Sequence, residues 1–208
     1  MRSDPSSLFF DKVIIKIIQQ KLPAFFRIAE YECSRNGKIG MEVGSVREKI
    51  LIALLIRKFG KQAVIVDTPI TAPEIDVKVF DKPISIKTLT GLSGIKLIWT
   101  VDAIQAIQFA KNYKPSCDML IAQMFWGKDC GGLFYIKKET QERILVEMGR
   151  SNYIKLPKQG TNPRGVELSK DALSLLLSDK DTLRIPVNWI AENTCPDIYA
   201  RWVEAWEN

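Results

Sequence analysis

Apolar residues recur at positions 9, 10, 13, 14, 17 and 18, the spacing of one face of an amphipathic helix. Asp4-Pro5 opens it, because aspartate caps and proline is tolerated in a first turn. Pro23 is expected to interrupt the helix, with a second helical stretch running to about Asn36-Gly37. Residues 37–44, Gly-Lys-Ile-Gly-Met-Glu-Val-Gly, read as a glycine-punctuated loop. Ser45-Val-Arg-Glu48 has the form of a capping box. It opens a helix with an apolar stripe through Ile50, Leu51, Leu54 and Leu55 that ends at Gly60. The period then changes. Residues 63–66 are short and apolar, while 75–80 and 83–88 alternate as strands do. A helix is predicted over 101–112, strands over 117–125 and 133–136, and a helix over 139–148 that stops at Gly149. Residues 155–165 form a polar loop rich in Pro and Gly; Ser169 starts another helix, and 196–206 is the last.

Helix, strand, strand, strand, helix, strand across 45–125 implies an α/β fold whose central mixed sheet is flanked by helices. The connection between 75–80 and 83–88 is too short for a crossover, so these strands form an antiparallel hairpin. A turn at Asp81-Lys82 sets Asp76 opposite Lys87 and Lys78 opposite Ser85. Those four then share one face, and Ile75, Val77, Val79, Ile84 and Ile86 share the other, against the core. A slip of one residue would drive the polar set into the core, so the register is specified.

A chain of 208 residues is long enough for one sizeable core. It reads as a single domain, 1–208. The core is 45–125, with the N-terminal helices (5–36) and the C-terminal part (150–208) as embellishments. No apolar run is long enough for a membrane span, and the N-terminus is no secretory signal, so a cytoplasmic protein is expected. There is no histidine, which removes Ser-His-Asp and Cys-His catalysis and leaves carboxylates, lysine, tyrosine or a metal. The four cysteines lack the clustered spacing of a zinc site. The net charge is +6 and unevenly spread. Residues 82–114 carry five lysines against Asp102, and 150–170 carry five cations against Glu167, two zones that suit a polyanion.

The chemistry sits in Asp76-Val-Lys-Val-Phe-Asp-Lys-Pro-Ile-Ser85-Ile86-Lys87, with Glu48 upstream. Hard oxygen ligands and a nearby cation are what a divalent metal needs to attack a phosphodiester. Two bland readings stand beside this one. The hairpin face could be a solvated salt-bridge surface, and Glu48 could serve only to complete its capping box. Asp76-Val-Lys78 with Asp67 upstream offers an acid, an acid and a lysine at closer spacing and is the competing register; it leaves Lys87 without a role. Glu74 shares the Asp76 face as a peripheral acid or a plain surface charge.

An acid near a helix start, then Asp and x-Lys on adjacent strands, then a helix and a further strand, resembles the PD-(D/E)XK nucleases. Within them the chain looks like a type II restriction endonuclease, with a restriction-endonuclease-like core. The resemblance implies that Asp76 is the metal-binding aspartate and Lys87 the lysine that orients or activates water. Glu48 is then the helix-borne acid some members use, and the Ile86 carbonyl a further ligand to Mg²⁺. Ser85 departs from the pattern, for it stands where the second acid normally does. The resemblance further implies a homodimer cutting double-stranded DNA at a short palindrome of C and G, leaving 5′-phosphates. It also implies a cognate DNA methyltransferase as genetic counterpart, not as a stable complex. A structure-specific or repair nuclease of the same fold and a non-catalytic DNA-binding protein are the alternatives.

Candidate DNA contacts follow from residue type. Thr88, Thr90, Ser93 and Lys96 lie in a stretch after Lys87 that suits phosphate contact or a plain turn. Lys158, Gln159, Asn162 and Arg164 lie in the basic loop, which suits base reading or a solvated surface. Met41, on the glycine loop, is either a wedge between base steps or core filler. The five tryptophans suit core or dimer contacts better than base stacking.

Overall fold

The computed structural model describes residues 4–35, 38–66, 74–99, 102–157 and 165–190, and near the C-terminus 197, 199, 203, 204 and 206. Asp4 caps a short 3₁₀ helix, Pro5–Phe10, and Asp11 caps α1, Lys12–Glu32, by accepting from the N–H groups of Val13 and Ile14. Pro23 does not interrupt α1. It lies inside the helix, buried, so its packing outweighs the one backbone bond it cannot donate. The helix also ends earlier than predicted. Cys33 leads into a two-stranded ribbon, β1 (Ser34–Arg35) and β2 (Lys38–Ile39), within what the sequence read as helix end and loop.

α2 runs Val43–Phe59 and closes at Gly60, whose φ of 89° a side chain would resist. It begins two residues before the predicted capping box. Its N-cap is Glu42 with no side-chain cap bond, and Glu48 becomes the sixth helical residue. Ser45 therefore caps nothing, and Glu48 is released from the competing role.

β3 (Val64–Ile65), β4 (Val77–Val79) and β5 (Lys82–Thr90) follow, then β6 (Ile95–Ile98), α3 (Ala103–Asn112), β7 (Asp118–Met124) and β8 (Gly132–Ile136). α4 (Lys138–Met148), α5 (Arg150–Tyr153), β9 (Ile154–Lys155), β10 (Val166–Leu168), α6 (Lys170–Ser178) and β11 (Leu183–Pro186) complete the described elements. The main sheet has the order β11-β8-β7-β5-β4-β3. β5 and β7 are parallel and the other pairs antiparallel, so the sheet is mixed. α1 and α2 cover one face over Val77, Val79, Ile84, Ile86, Leu120 and Ala122. The other face packs with α3, α4, α6 and a small sheet of order β6-β10-β9.

The hairpin turn falls one residue earlier than predicted. Val79 pairs with Lys82, leaving Phe80 and Asp81 in the turn with φ of 50° and 65°, the signs of a type I′ turn. A bulky residue at positive φ is uncommon. Here the Phe80 ring is held edge-on to Phe59, centroids 5.4 Å apart, and that contact fixes the turn. The consequence is a two-residue slip: Val77 opposes Ile84, and Asp76 comes level with Ser85 rather than Lys87. An even slip preserves the faces.

Candidate active site

Asp76 stands just before β4 and continues its ladder, donating its N–H to the Ile84 carbonyl at 3.1 Å. One carboxylate oxygen, Oδ2, collects three donors from β5. The Ile86 N–H donates at 2.6 Å, the Lys87 ammonium at 3.1 Å and the Ser85 hydroxyl at 3.2 Å. The register slip explains the pattern, since Ser85 lies across from Asp76 and Lys87 reaches it diagonally. Ser85 is 1% exposed, and Asp76 and Lys87 are half-buried. Ile86 turns its N–H toward Asp76. In an extended strand its carbonyl leaves on that same edge, beyond the last β4–β5 pair.

Glu48, on α2, completes the group. Burial raises its carboxyl above the ordinary carboxylate range and the neighbouring Asp76 raises it further, while Lys87 and Lys49 pull it down. The three residues chosen from sequence are thus brought together from three elements. Glu74 proves more than a surface charge. Burial raises its carboxyl, Ser116 donates to it, and it feels Lys87. Burial likewise pushes the neighbouring Cys117 thiol up to about 11, which leaves it inert rather than nucleophilic. Among the described residues no group of three or more His, Cys, Asp or Glu is placed to hold a metal. A site here has two carboxylates and needs the backbone for a third ligand.

The DNA-contact candidates divide. Met41 is 78% exposed on the turn between β2 and α2, so it is not core filler. Thr88 and Thr90 belong to β5 rather than to a loop; Ser93 is exposed in the following turn. Lys96 lies in β6, its ammonium 3.4 Å from the ring centre of Trp99. Lys158, Gln159, Asn162 and Arg164, like Asp67 of the competing register and most of the predicted last helix, lie outside the described residues. Where the basic loop rejoins β10, Gly165 has φ of 98° and a Cβ there would meet the Ile98 carbonyl at 2.0 Å. Gly165 thus lies close against Ile98 and Trp99. Tryptophan use is split: Trp189 is fully buried, and Trp99 is 65% exposed.

Missing from the sequence reading is a buried ionic cluster behind Glu48. Arg47 donates to Glu30 of α1, and Trp126 and Arg27 donate to the same carboxylate. Arg27 and Glu30 are a local i,i+3 pair, but the bonds from Arg47, 17 residues on, and Trp126, 96 residues on, follow from no local pattern.

A solved chain described as a restriction endonuclease in complex with substrate DNA superposes with a TM-score of 0.88 at 50% identity. The match covers 97% of this chain and 98% of that one. No curated protein matches. A family described as "Restriction endonuclease ThaI" matches residues 8–208. The chain belongs to the ThaI restriction endonuclease family. ThaI-family membership makes it a nuclease acting on DNA, and the mixed sheet flanked by helices is the restriction-endonuclease-like core. No helix among the described residues is long and apolar enough to cross a membrane.

Proposed function

We propose that this ThaI-family chain is a type II, Mg²⁺-dependent endonuclease that works as a homodimer. It would cut double-stranded DNA at a short palindrome of C and G and leave 5′-phosphates. The observation that carries the reading is the convergence on Asp76 Oδ2 of Lys87 at 3.1 Å and the Ile86 N–H at 2.6 Å, with Glu48 alongside. The family and the DNA bound to the similar solved chain support DNA as the ligand.

The donor set fits a hard divalent cation. Asp76 and Glu48 are near enough to disfavour each other's charge, and the Ile86 carbonyl lies on the same edge. When bound there, Mg²⁺ would polarise the scissile phosphate and lower the pKa of a water. The chain's own part is positional. Three donors fix Asp76, and the free ammonium hydrogens of Lys87 are available to a hydroxide or to charge developing on phosphate oxygens. Ser85, in the place of the motif's second acid, holds Asp76 instead of binding metal, which leaves Glu48 as the second carboxylate.

A palindrome cut on both strands needs two such sites, hence the C2 dimer. The core 45–125 would carry the chemistry. The N-terminal helices and the part after 150 would serve dimerisation and recognition, in one cytoplasmic domain with a methyltransferase as genetic counterpart. Thr88, Thr90, Ser93 and Lys96 would take phosphates, and Lys158, Gln159, Asn162 and Arg164 would read bases. Met41 would enter the stack from the minor groove, as its exposure on a turn next to α2 allows. Met41→Ala is then expected to lose about tenfold in affinity, a fraction of what unstacking contacts supply. A gel shift showing unchanged affinity and unchanged unwinding rejects the wedge. Digestion of one plasmid with and without Mg²⁺ tests the whole reading. Discrete fragments only with Mg²⁺ are expected; junction-dependent nicking or no cleavage overturns it.

A further inference from the structure

The functional end of α2 has little to hold it. Its first turn has no side-chain cap, and from Val43 to Ile50 the one buried residue is Arg47, 4% exposed. Arg47 points to the α1 side and donates to Glu30, itself 5% exposed. The Trp126 indole, from the connection between β7 and β8, donates to the same Glu30 oxygen at 2.8 Å. Arg27 donates to the other oxygen at 3.2 Å and lies 5.4 Å from the Trp126 ring centre. The Arg47 guanidinium lies over the Phe26 ring at 5.6 Å. Three elements therefore meet at one carboxylate.

A buried ion pair is weak evidence for stability, because an apolar replacement often does as well. What a directional pair supplies is register and azimuth. Arg47 and Glu48 are consecutive on a helix, about 100° apart. Whatever fixes the rotation of α2 at Arg47 fixes where the Glu48 carboxylate projects.

We propose that Glu30, Arg47 and Trp126 form a clamp that positions Glu48 toward Asp76, making Arg47 and Glu30 positioning residues for metal capture. The proposal rests on the reading of Glu48 as a metal ligand. None of the clamp's hydrogen bonds involves Glu48, Asp76 or Lys87. Its effect is on how well the two carboxylates converge, much as outer-shell partners orient ligands in metal sites.

The test is Mn²⁺ binding to the full chain, counted by the electron paramagnetic resonance signal of free Mn²⁺. Wild type, Glu30→Gln, Arg47→Lys, Trp126→Phe and Glu48→Gln are compared, with single-turnover cleavage and melting recorded in parallel. Glu30→Gln and Arg47→Lys are expected to weaken Mn²⁺ binding about tenfold. Trp126→Phe, which keeps a ring and loses only one of the donors to Glu30, weakens it by roughly threefold, below the usual range of outer-shell effects. Raising Mg²⁺ restores cleavage in all three, and DNA affinity without metal is unchanged. Wild-type Mn²⁺ affinity in folded Glu30→Gln overturns the clamp, however far melting falls. Should Glu30→Gln fail to fold, Trp126→Phe decides by the same measure. Glu48→Gln separates the two levels. If it binds Mn²⁺ and cleaves like wild type, the metal site and the clamp both fall. If it loses both while Glu30→Gln is normal, the clamp alone falls.

Discussion

On one face of the β4–β5 hairpin, Val77, Val79, Ile84 and Ile86 are 0–2% exposed beneath α1 and α2. On the other, Ser85 and Lys87 converge on one oxygen of Asp76. Residues of the two faces alternate along the same strands, so backbone geometry is common to both and only the side chains differ. The apolar face is redundant: several side chains share the burial, and each loss is graded. On the polar face the donors to Asp76 are shared too, but the carboxylate and the ammonium themselves have no substitute. Substitutions should therefore separate cleanly, with stability failing on one face and chemistry on the other.

The largest expected effect is on the polar face. Asp76→Ala or Lys87→Ala should lower single-turnover cleavage by about 10³-fold or more, on the order of 4 kcal/mol of transition-state stabilisation. DNA binding should persist. Melting should hardly change in Lys87→Ala, because the Lys87–Asp76 pair is partly solvated, whereas Asp76→Ala also leaves the Ser85 and Ile86 donors unpaired and should melt a few degrees lower, about 1–2 kcal/mol. Cleavage within tenfold of wild type in either variant would sink the site. Ile84→Ala on the opposite face should do the reverse. Filling is lost at a fully buried position, at about 3 kcal/mol. That reads as a fall of about 9 °C in Tm for a chain of this length. The folded fraction should still cleave at near wild-type rate; an equally dead Ile84→Ala at low temperature would break the comparison.

The alternation that defines these faces was legible in the sequence, because a period of two needs no knowledge of the turn. The turn itself was not. Phe80 looked like a strand residue, and its place in the turn depends on Phe59, on the end of another element. The error of two residues left the faces intact but misplaced the partner: Ser85, not Lys87, lies opposite Asp76. A similar limit applied to α2. Ser45-Val-Arg-Glu48 is a fair capping box, yet the helix continues back to Val43, with Arg47 tied to Glu30 of another helix. The two-residue strands β1, β2 and β9 and the short β6, β10 and β11 went unseen, since their pairing is set by distant partners rather than by local period.

Glu48 sharpens the contrast from a third element, because the function proposed for it has a stability consequence. Its carboxyl is raised in the folded chain, so without metal the folded chain holds that proton more tightly than the unfolded one. Its contribution is fully present below the ordinary value of 4.5 and is lost as pH rises through the higher folded value. In metal-free protein, Glu48→Gln should therefore match wild type at acid pH. At neutral pH it should melt about 1–2 °C higher, the shift that a fraction of 1 kcal/mol gives at this size. Melting curves in chelator across pH 4–8 check it. A variant that is less stable than wild type at pH 7 would mean that Glu48 is structural.

On the polar face the smallest effect on cleavage is expected where the two faces meet, at Ser85, which is polar in chemistry and 1% exposed. Two accounts of it differ in outcome. If Ser85 is merely a lost metal ligand, an acid there should repair the motif, and Ser85→Asp should tighten metal binding with no cost to the fold. If it is the residue that steadies Asp76, as the 3.2 Å bond indicates, an acid would bury a second charge against that carboxylate. Ser85→Asp should then melt well below wild type without metal. Ser85→Ala should lose only one of three donors to Asp76, about 1 kcal/mol of stability and a cleavage loss of roughly fivefold. The remaining bonds from Ile86 and Lys87 keep the carboxylate in place, which is why the loss is small. Comparing the two variants by melting in chelator and by metal titration decides whether this position departs from the motif by deletion or by substitution of a different function.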